Sequence, residues 1–290
     1  MVINTMSFFA PVMNMALKFD GKSQYISIPN SEYINFNTND NFTIELWTKL
    51  ENNDSQESGS MKSSILEKSS SESAFPYAIR YYNSNAESYG KVIVCRSDGK
   101  NKPSLESVSS INDGRFHHLC FVRRINDKNK GELSLYIDGI EECKTDDTTS
   151  GNTANSSRLY IGKPHNNSLL APFSGIIDHL RIWNGALTAS QISTIMYSAF
   201  GGGVKLKHDN PDKEIILVGN WKLNEGYGLH ILDDAKHNNG SLGEESGINA
   251  PEWVVNARNH PIQAEYYNSS VYNLLSSPDG FKKLVERGII

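Results

Sequence analysis

The segment GIIDHLRIW, running from Gly175 to Trp183, puts a carboxylate where a strand should be apolar. With strict alternation, Ile176, Asp178, Leu180 and Ile182 share one face, and Ile177, His179, Arg181 and Trp183 share the other. A carboxylate on the apolar side is costly to desolvate unless it is hydrogen-bonded or holds a cation. Two partners therefore stand open. One is a set of backbone N–H donors between layers. The other is a calcium ion, which takes carboxylate and carbonyl oxygens at about 2.3–2.6 Å. Asp20, in the FDG turn, is the second carboxylate expected beside such an ion. The ion would pin the first and last strands together rather than polarise a substrate.

A second group could bind rather than react. Tyr77, Arg80, Tyr81, Tyr82, Tyr89 and Arg96 all fall within YAIRYYNSNAESYGKVIVCR. Aromatic faces and a few placed polar groups are what a ligand site offers, so Arg80, Tyr81, Tyr82, Tyr89 and Arg96 are candidate contacts. Trp47, on the strand face it shares with Glu45 and Lys49, is another candidate platform, and His165, in the turn after RLYIG, is a candidate rim contact. The plain alternative is that Tyr is a common strand former and that any alternating strand turns half its aromatics outward.

Catalytic signatures fail. No GxSxG occurs, no His is followed by Glu, and the one GKS has Ala16 where a phosphate loop needs Gly. His117 and His118 are adjacent in a strand, so they point to opposite faces and cannot chelate one metal together. Cys95, Cys120 and Cys143 form no CxxC, and the first two sit in apolar runs as small buried hydrophobes would. A formal net charge of -5 without a long basic run argues against nucleic acid as partner. No segment has the roughly 20 apolar residues that cross a bilayer. The start, MVINTMSFFAPVMNMA, has Pro11 and no basic residue before Lys18, so it reads as a poor secretory signal and a good first strand.

Such residues need a frame, and the frame reads as all-β. Short runs rich in β-branched and aromatic residues recur between Gly, Asn, Asp and Ser clusters: ALKF, YISI, FTIELWTKL, SSILEK, YAIRYY, KVIVC, FHHLCFVRR, ELSLYI, RLYIG and GIIDHLRIW. In FTIELWTKL, Phe42, Ile44 and Leu46 make one face, leaving Thr43, Glu45, Trp47 and Lys49 for solvent or ligand. The polar stretches from Glu51, Ser69 and Lys144 read as mobile rim loops. TASQISTIMYSAF is a helix opened by a capping box of Thr188 and Gln191 and ended by Gly201, Gly202 and Gly203, and a short helix is expected from Asp279 to Arg287. Residues 1–200 form the main domain, 201–258 a flanking segment that packs on or completes it, and 259–290 a tail or the start of a further domain.

In order along the chain, LKFDGKSQYISIP, FTIELWTKL, ILEK, DGRFHHLCFVRR with GELSLYIDG, SSRLYIG and FSGIIDHLRIWNGALTASQI resemble the laminin G-like domains of the concanavalin A-like lectin/glucanase superfamily. The resemblance implies a two-sheet antiparallel jelly-roll β-sandwich with a short helix and a C-terminal extension. It further implies a concave face or loop rim that binds glycans or proteins, and in many members a bound calcium. Phe116 stands where such domains usually have Trp, and His179 where an acidic residue commonly follows the Asp. Glucanases on this fold present paired carboxylates along one strand as ExDxxE, and no Glu of this chain has Asp two positions later. The expected function is a non-catalytic, carbohydrate-binding module of a secreted or surface protein, whose partner is a glycan or a cell-surface protein. Two alternatives are a protein adhesion domain of a toxin or adhesin and a glycoside hydrolase with an unrecognised site.

Overall fold

The computed structural model describes residues 15–51, 61–69, 74–84, 87–165, 169–198, 204–207 and 214–255. The expected first strand before Met15, most of the Glu51 and Ser69 loops, the Gly201–Gly203 stop and everything after residue 255 lie outside the described residues. The strands in chain order are β1 (Met15–Asp20), β2 (Ile26–Ile28), β3 (Phe42–Leu50), β4 (Lys62–Glu67), β5 (Ala74–Tyr82), β6 (Lys91–Asp98), β7 (Ser104–Ser110), β8 (His117–Ile125), β9 (Gly131–Ile137), β10 (Ile140–Asp147), β11 (Leu159–Ile161), β12 (Ala171–Pro172), β13 (Ser174–Trp183), β14 (Lys205–Lys207), β15 (Glu214–Trp221), β16 (His230–Ile231), β17 (Gly240–Leu242) and β18 (Glu252–Val255). Among the described residues one α-helix, α1, spans Ala189–Ile195.

Two nine-stranded sheets stack face to face. The first runs β10-β9-β8-β3-β13-β1-β18, with β15 added on β13 and β14 on β15. The second runs β16-β17-β2-β11-β4-β5-β6-β7, with β12 parallel to β4. Every other pairing among the described residues is antiparallel, as a jelly roll requires. Residues 214–255 add β15 and β18 to the first sheet and β16 and β17 to the second.

Alternate residues fill the space between the sheets. Phe42, Ile44 and Leu46 of β3 meet Tyr77, Ile79 and Tyr81 of β5 in one core. Phe42 stacks on Phe36 at 5.0 Å and meets Phe121 edge-on at 5.4 Å, the offset and T-shaped geometries that aromatic quadrupoles favour.

The outer face of the first sheet departs from expectation. Thr43, Glu45 and Trp47 do not meet solvent, because α1 and the residues after it lie across them. Thr188 opens α1 with both halves of a capping box: its hydroxyl accepts from Gln191 N and its own N–H donates to Gln191 Oε1. Ile192 and Ile195 then bury against Val122, Trp183 and Leu217. Replacing Thr188 by Ala should cost about 1 kcal/mol in urea unfolding; an unchanged midpoint would show that the tertiary contacts alone hold the helix.

The stretch from Lys144 corrects its sequence reading. Lys144–Asp147 finish β10, and Thr149 and Thr153 are buried. Asp98 Oδ2 accepts from Ser150 N at 2.7 Å and Gly151 N at 2.9 Å. Lys68, itself buried, donates Nζ to the Asn155 and Ser157 carbonyls at 3.0 and 2.9 Å. Polar side chains here serve as internal braces, which composition alone reads as a solvated loop.

Candidate functional site

The candidate residues scatter. Tyr81 points into the core, as does Tyr77, whose hydroxyl donates to Ile34 O at 2.9 Å. Arg96 is fully buried at one end of the sandwich, with Nη1 on Asp147 at 3.2 Å and Nη2 on Thr153 Oγ1 at 2.5 Å. Trp47 is 2% exposed, and its indole donates to Met196 O at 3.0 Å, so it is no sugar platform. Tyr82 is half-buried and bonds Glu106 at 3.0 Å, and Tyr89 is half-buried in the turn that follows. Arg80 and His165 come together through Glu67: Arg80 Nη2 pairs with Oε2 at 3.0 Å, and the His165 backbone N–H donates to Oε1 at 2.6 Å. Beside them Lys163 lies 3.4 Å from the Tyr25 ring centroid and 4.7 Å from that of Tyr160, already occupying those faces.

Asp178 lies elsewhere than alternation places it. Opposite Trp47 and Glu45 of β3 stand Asp178 and Arg181 of β13, so the longer strand carries one extra residue. His179 supplies the bulge with φ +49°. The parity flips there: Ile177 before it and Leu180 and Ile182 after it all enter the core. Asp178, fully buried, therefore shares the outer face with Trp47 and Arg181, and His179 Nδ1 lies 2.8 Å from its Oδ1. Asp20 pairs with Ser174, four residues along β13, or about 13 Å away at strand rise. Asp20 is exposed, and its Oδ1 accepts from Lys22 N and Ser23 N. The two carboxylates do not fit one shared calcium ion, and no group of three metal-ligating side chains occurs among the described residues.

Next to Asp178 sits a closed ionic cluster. Glu45, fully buried, lies 2.9 Å from Arg181 Nε, 2.8 Å from His118 Nε2 and 2.8 Å from Trp183 Nε1. Burial would raise its carboxyl, but Arg181, the hydrogen bond and charge of His118, and Trp183 outweigh that and hold it at about 2. Arg181 in turn donates to the carbonyls of Ser198 and Ile195, holding down the end of α1. The cluster is a structural clamp beneath a helix.

An open site exists at the rim. A cleft of about 500 Å³ lies between the 31–41 loop, the Asn184–Gly185 turn after β13 and the start of β15. Asn35, Asn41 and Asn184 line it, and each has its Oδ1 engaged by a backbone N–H: Asn155 N at 3.0 Å, Ile125 N at 2.7 Å and Ile216 N at 2.7 Å. That fixes which end of each amide is which, and it leaves three Nδ2 groups as oriented donors. Acceptors come from Glu32, Asp40 and Glu214. Tyr33, 41% exposed, adds a ring with Lys236 Nζ 4.8 Å from its centroid. None of the residues singled out from sequence lines this cleft. Its signal was the run NFNTNDN from Asn35 to Asn41, with Asn184-Gly185 far along the chain.

Comparison with known proteins agrees with the architecture. The family model described as the concanavalin A-like lectin/glucanases superfamily matches residues 20–193. No curated protein sequence matches the chain. Among solved structures, a candidate carbohydrate binding protein from Bacteroides ovatus superposes with a TM-score of 0.59 at 17% identity, over 84% of this chain and 60% of that one. A pentraxin from Limulus polyphemus gives 0.46 at 15% identity, over 64% and 83%. Domain 4 of an extracellular arabinanase from Geobacillus stearothermophilus, in complex with arabinotriose, gives 0.43 at 20%, over 62% and 75%. The chain thus spans about 60% of the length of the Bacteroides protein. No helix among the described residues is long and apolar enough to cross a membrane.

Proposed function

Because this chain belongs to the concanavalin A-like lectin/glucanase superfamily, we propose that it is a non-catalytic glycan-binding module whose sugar sits in the rim cleft. The observation that carries this reading is the trio of asparagines whose Oδ1 atoms are already committed to backbone N–H groups. A sugar hydroxyl both donates and accepts, so it needs donors and acceptors side by side; the amides supply the first and the carboxylates the second. Their positions are set before a ligand arrives, so little ordering entropy remains for binding to overcome. The Tyr33 ring, with Lys236 over one face, offers its other face for sugar C–H groups, completing the mixed lining of a small-molecule site.

Two observations favour binding over hydrolysis. The sequence has no ExDxxE strand, and Glu45 and Asp178 on the outer face of the first sheet are fully buried. A glycosidase needs two carboxylates flanking an accessible bond, which this buried pair does not offer. The Bacteroides ovatus protein, described as a candidate for carbohydrate binding, is in keeping with this reading through the fold they share.

A glycan array followed by calorimetry tests the proposal. Tyr33→Ala should weaken the best saccharide at least tenfold, about 1.4 kcal/mol, with the melting temperature nearly unchanged because the ring is largely outside the core. An array without saccharide selectivity, or equal affinity in the variant, would remove the reading.

A further inference from the structure

We infer that the rim cleft selects saccharides carrying a free ammonium group over their N-acetylated and carboxylated counterparts. The inference rests on the glycan-binding reading above and names the ligand class of the same site. The charged side chains lining the cleft are the carboxyls of Glu32, Asp40 and Glu214; Lys205 and Lys236 stand at its edge, on Glu214 and on the Tyr33 ring.

The cations nearby each have a partner of their own. Lys205 Nζ is spent on Glu214 Oε2 at 2.6 Å. Lys236 sits over the Tyr33 ring. Arg123 is buried, with Nε on Asp147 at 2.6 Å and its two terminal nitrogens on the carbonyls of Asp40 and Thr38 at 2.6 Å each. Glu214 is thereby compensated. Glu32 and Asp40 remain as carboxylates without an ion pair among the described residues, and both are exposed at the mouth of a concave site. Concave walls focus the field of like charges, so an approaching cation is drawn in and an anion is repelled.

The hydrogen-bonding inventory points the same way. An ammonium group has three donors and no acceptor, so it satisfies carboxylate oxygens that a hydroxyl satisfies only in part. The three oriented amides are left for ring and hydroxyl oxygens. N-acetylation removes the charge while keeping the ring, and a uronate places its carboxylate against two like charges.

Calorimetry at pH 6 and low salt should compare a glucosamine trimer, an N-acetylglucosamine trimer and a galacturonate trimer. The amine trimer should bind about tenfold tighter than the acetylated one and at least tenfold tighter than the uronate, and the advantage should shrink with added salt. In Glu32→Gln with Asp40→Asn, the amine-to-acetyl ratio should fall towards one. The single, exposed change Glu32→Gln should move it part of the way, which covers a failure of the double variant to fold. A uronate or acetylated trimer that binds as tightly as the amine, or a ratio that survives both variants, overturns the inference while leaving glycan binding intact. Absence of binding by every saccharide on the array, neutral ones included, removes the underlying reading instead.

Discussion

Glu45→Ala should lower the unfolding free energy by roughly 3–5 kcal/mol, the cost of removing one partner from a buried ion pair. The side chain left behind is Arg181, 1% exposed, with its Nε facing the space the carboxylate occupied. His118 Nε2 and Trp183 Nε1 lose an acceptor in the same step. Because Arg181 also donates to the carbonyls of Ile195 and Ser198, the end of α1 should loosen with it. Proteolysis or hydrogen exchange in residues 189–198 should therefore rise ahead of global unfolding. The acid limb supplies a second readout. A carboxyl held at about 2 against an ordinary value of 4.5 binds its proton less readily folded than unfolded, so its contribution is full above about pH 4.5. That contribution is lost as the pH falls through about 2, and the gap corresponds to roughly 3 kcal/mol. Urea unfolding at pH 7, 4.5, 3 and 2 should show wild type falling by that order and the variant falling distinctly less. A variant that loses under 1 kcal/mol at pH 7, with a parallel acid limb, would mean that Glu45 does not hold the clamp.

Asp147→Ala should be at least as damaging, because it strands two buried cations. Asp147 Oδ2 meets Arg123 Nε at 2.6 Å and Arg96 Nη1 at 3.2 Å, while Oδ1 accepts from Thr149 N at 3.0 Å and Thr149 Oγ1 at 2.7 Å. All three charged side chains are nearly inaccessible. Desolvation of Arg96 pulls its pKa down to about 10 despite the attraction of Asp147. A loss of about 4 kcal/mol or more in chemical unfolding is expected. The combination Arg96→Met, Arg123→Met and Asp147→Leu should recover part of that loss, since apolar replacement removes the uncompensated charges. The guanidiniums also hold carbonyls of Asn37, Thr38 and Asp40 in the loop that forms the cleft. Asp147→Ala should consequently weaken glycan binding through disorder of that loop, whereas the apolar triple variant tests stability apart from loop order. A single variant as stable as wild type would show that the rim is held by its backbone alone.

The jelly roll and the capping box were legible in the sequence because both are written in local periods. Phe42, Ile44 and Leu46 recur every second residue, and Thr188 stands three residues before Gln191. Each strand carries its own inward face whatever its neighbours are. β7, SLESVSS, carried too little apolar signal to be read, although Leu105 alone among its side chains joins the core. The same local reasoning put Asp178 on the wrong side, since a single inserted residue at His179 reverses alternation. A bulge is decided by the partner strand's register, and the partner β3 lies more than 120 residues away.

The binding site illustrates the other limit. Aromatics such as Trp47 and Tyr81 drew attention by type, yet type does not say what will cover them; Met196 and Tyr197, just after α1, cover the first and the opposing sheet the second. The sequence by itself determined the two-layer antiparallel sandwich, its superfamily, its helix cap and the lack of familiar catalytic strings, because these rest on spacing within short segments. Only the tertiary structure decided that Glu45 is a buried clamp and that Asn35, Asn41 and Asn184 converge on one cleft. The reason is that burial and convergence depend on which distant segments pack together, and backbone groups of Asn155, Ile125 and Ile216 fix those amides only after the chain has closed.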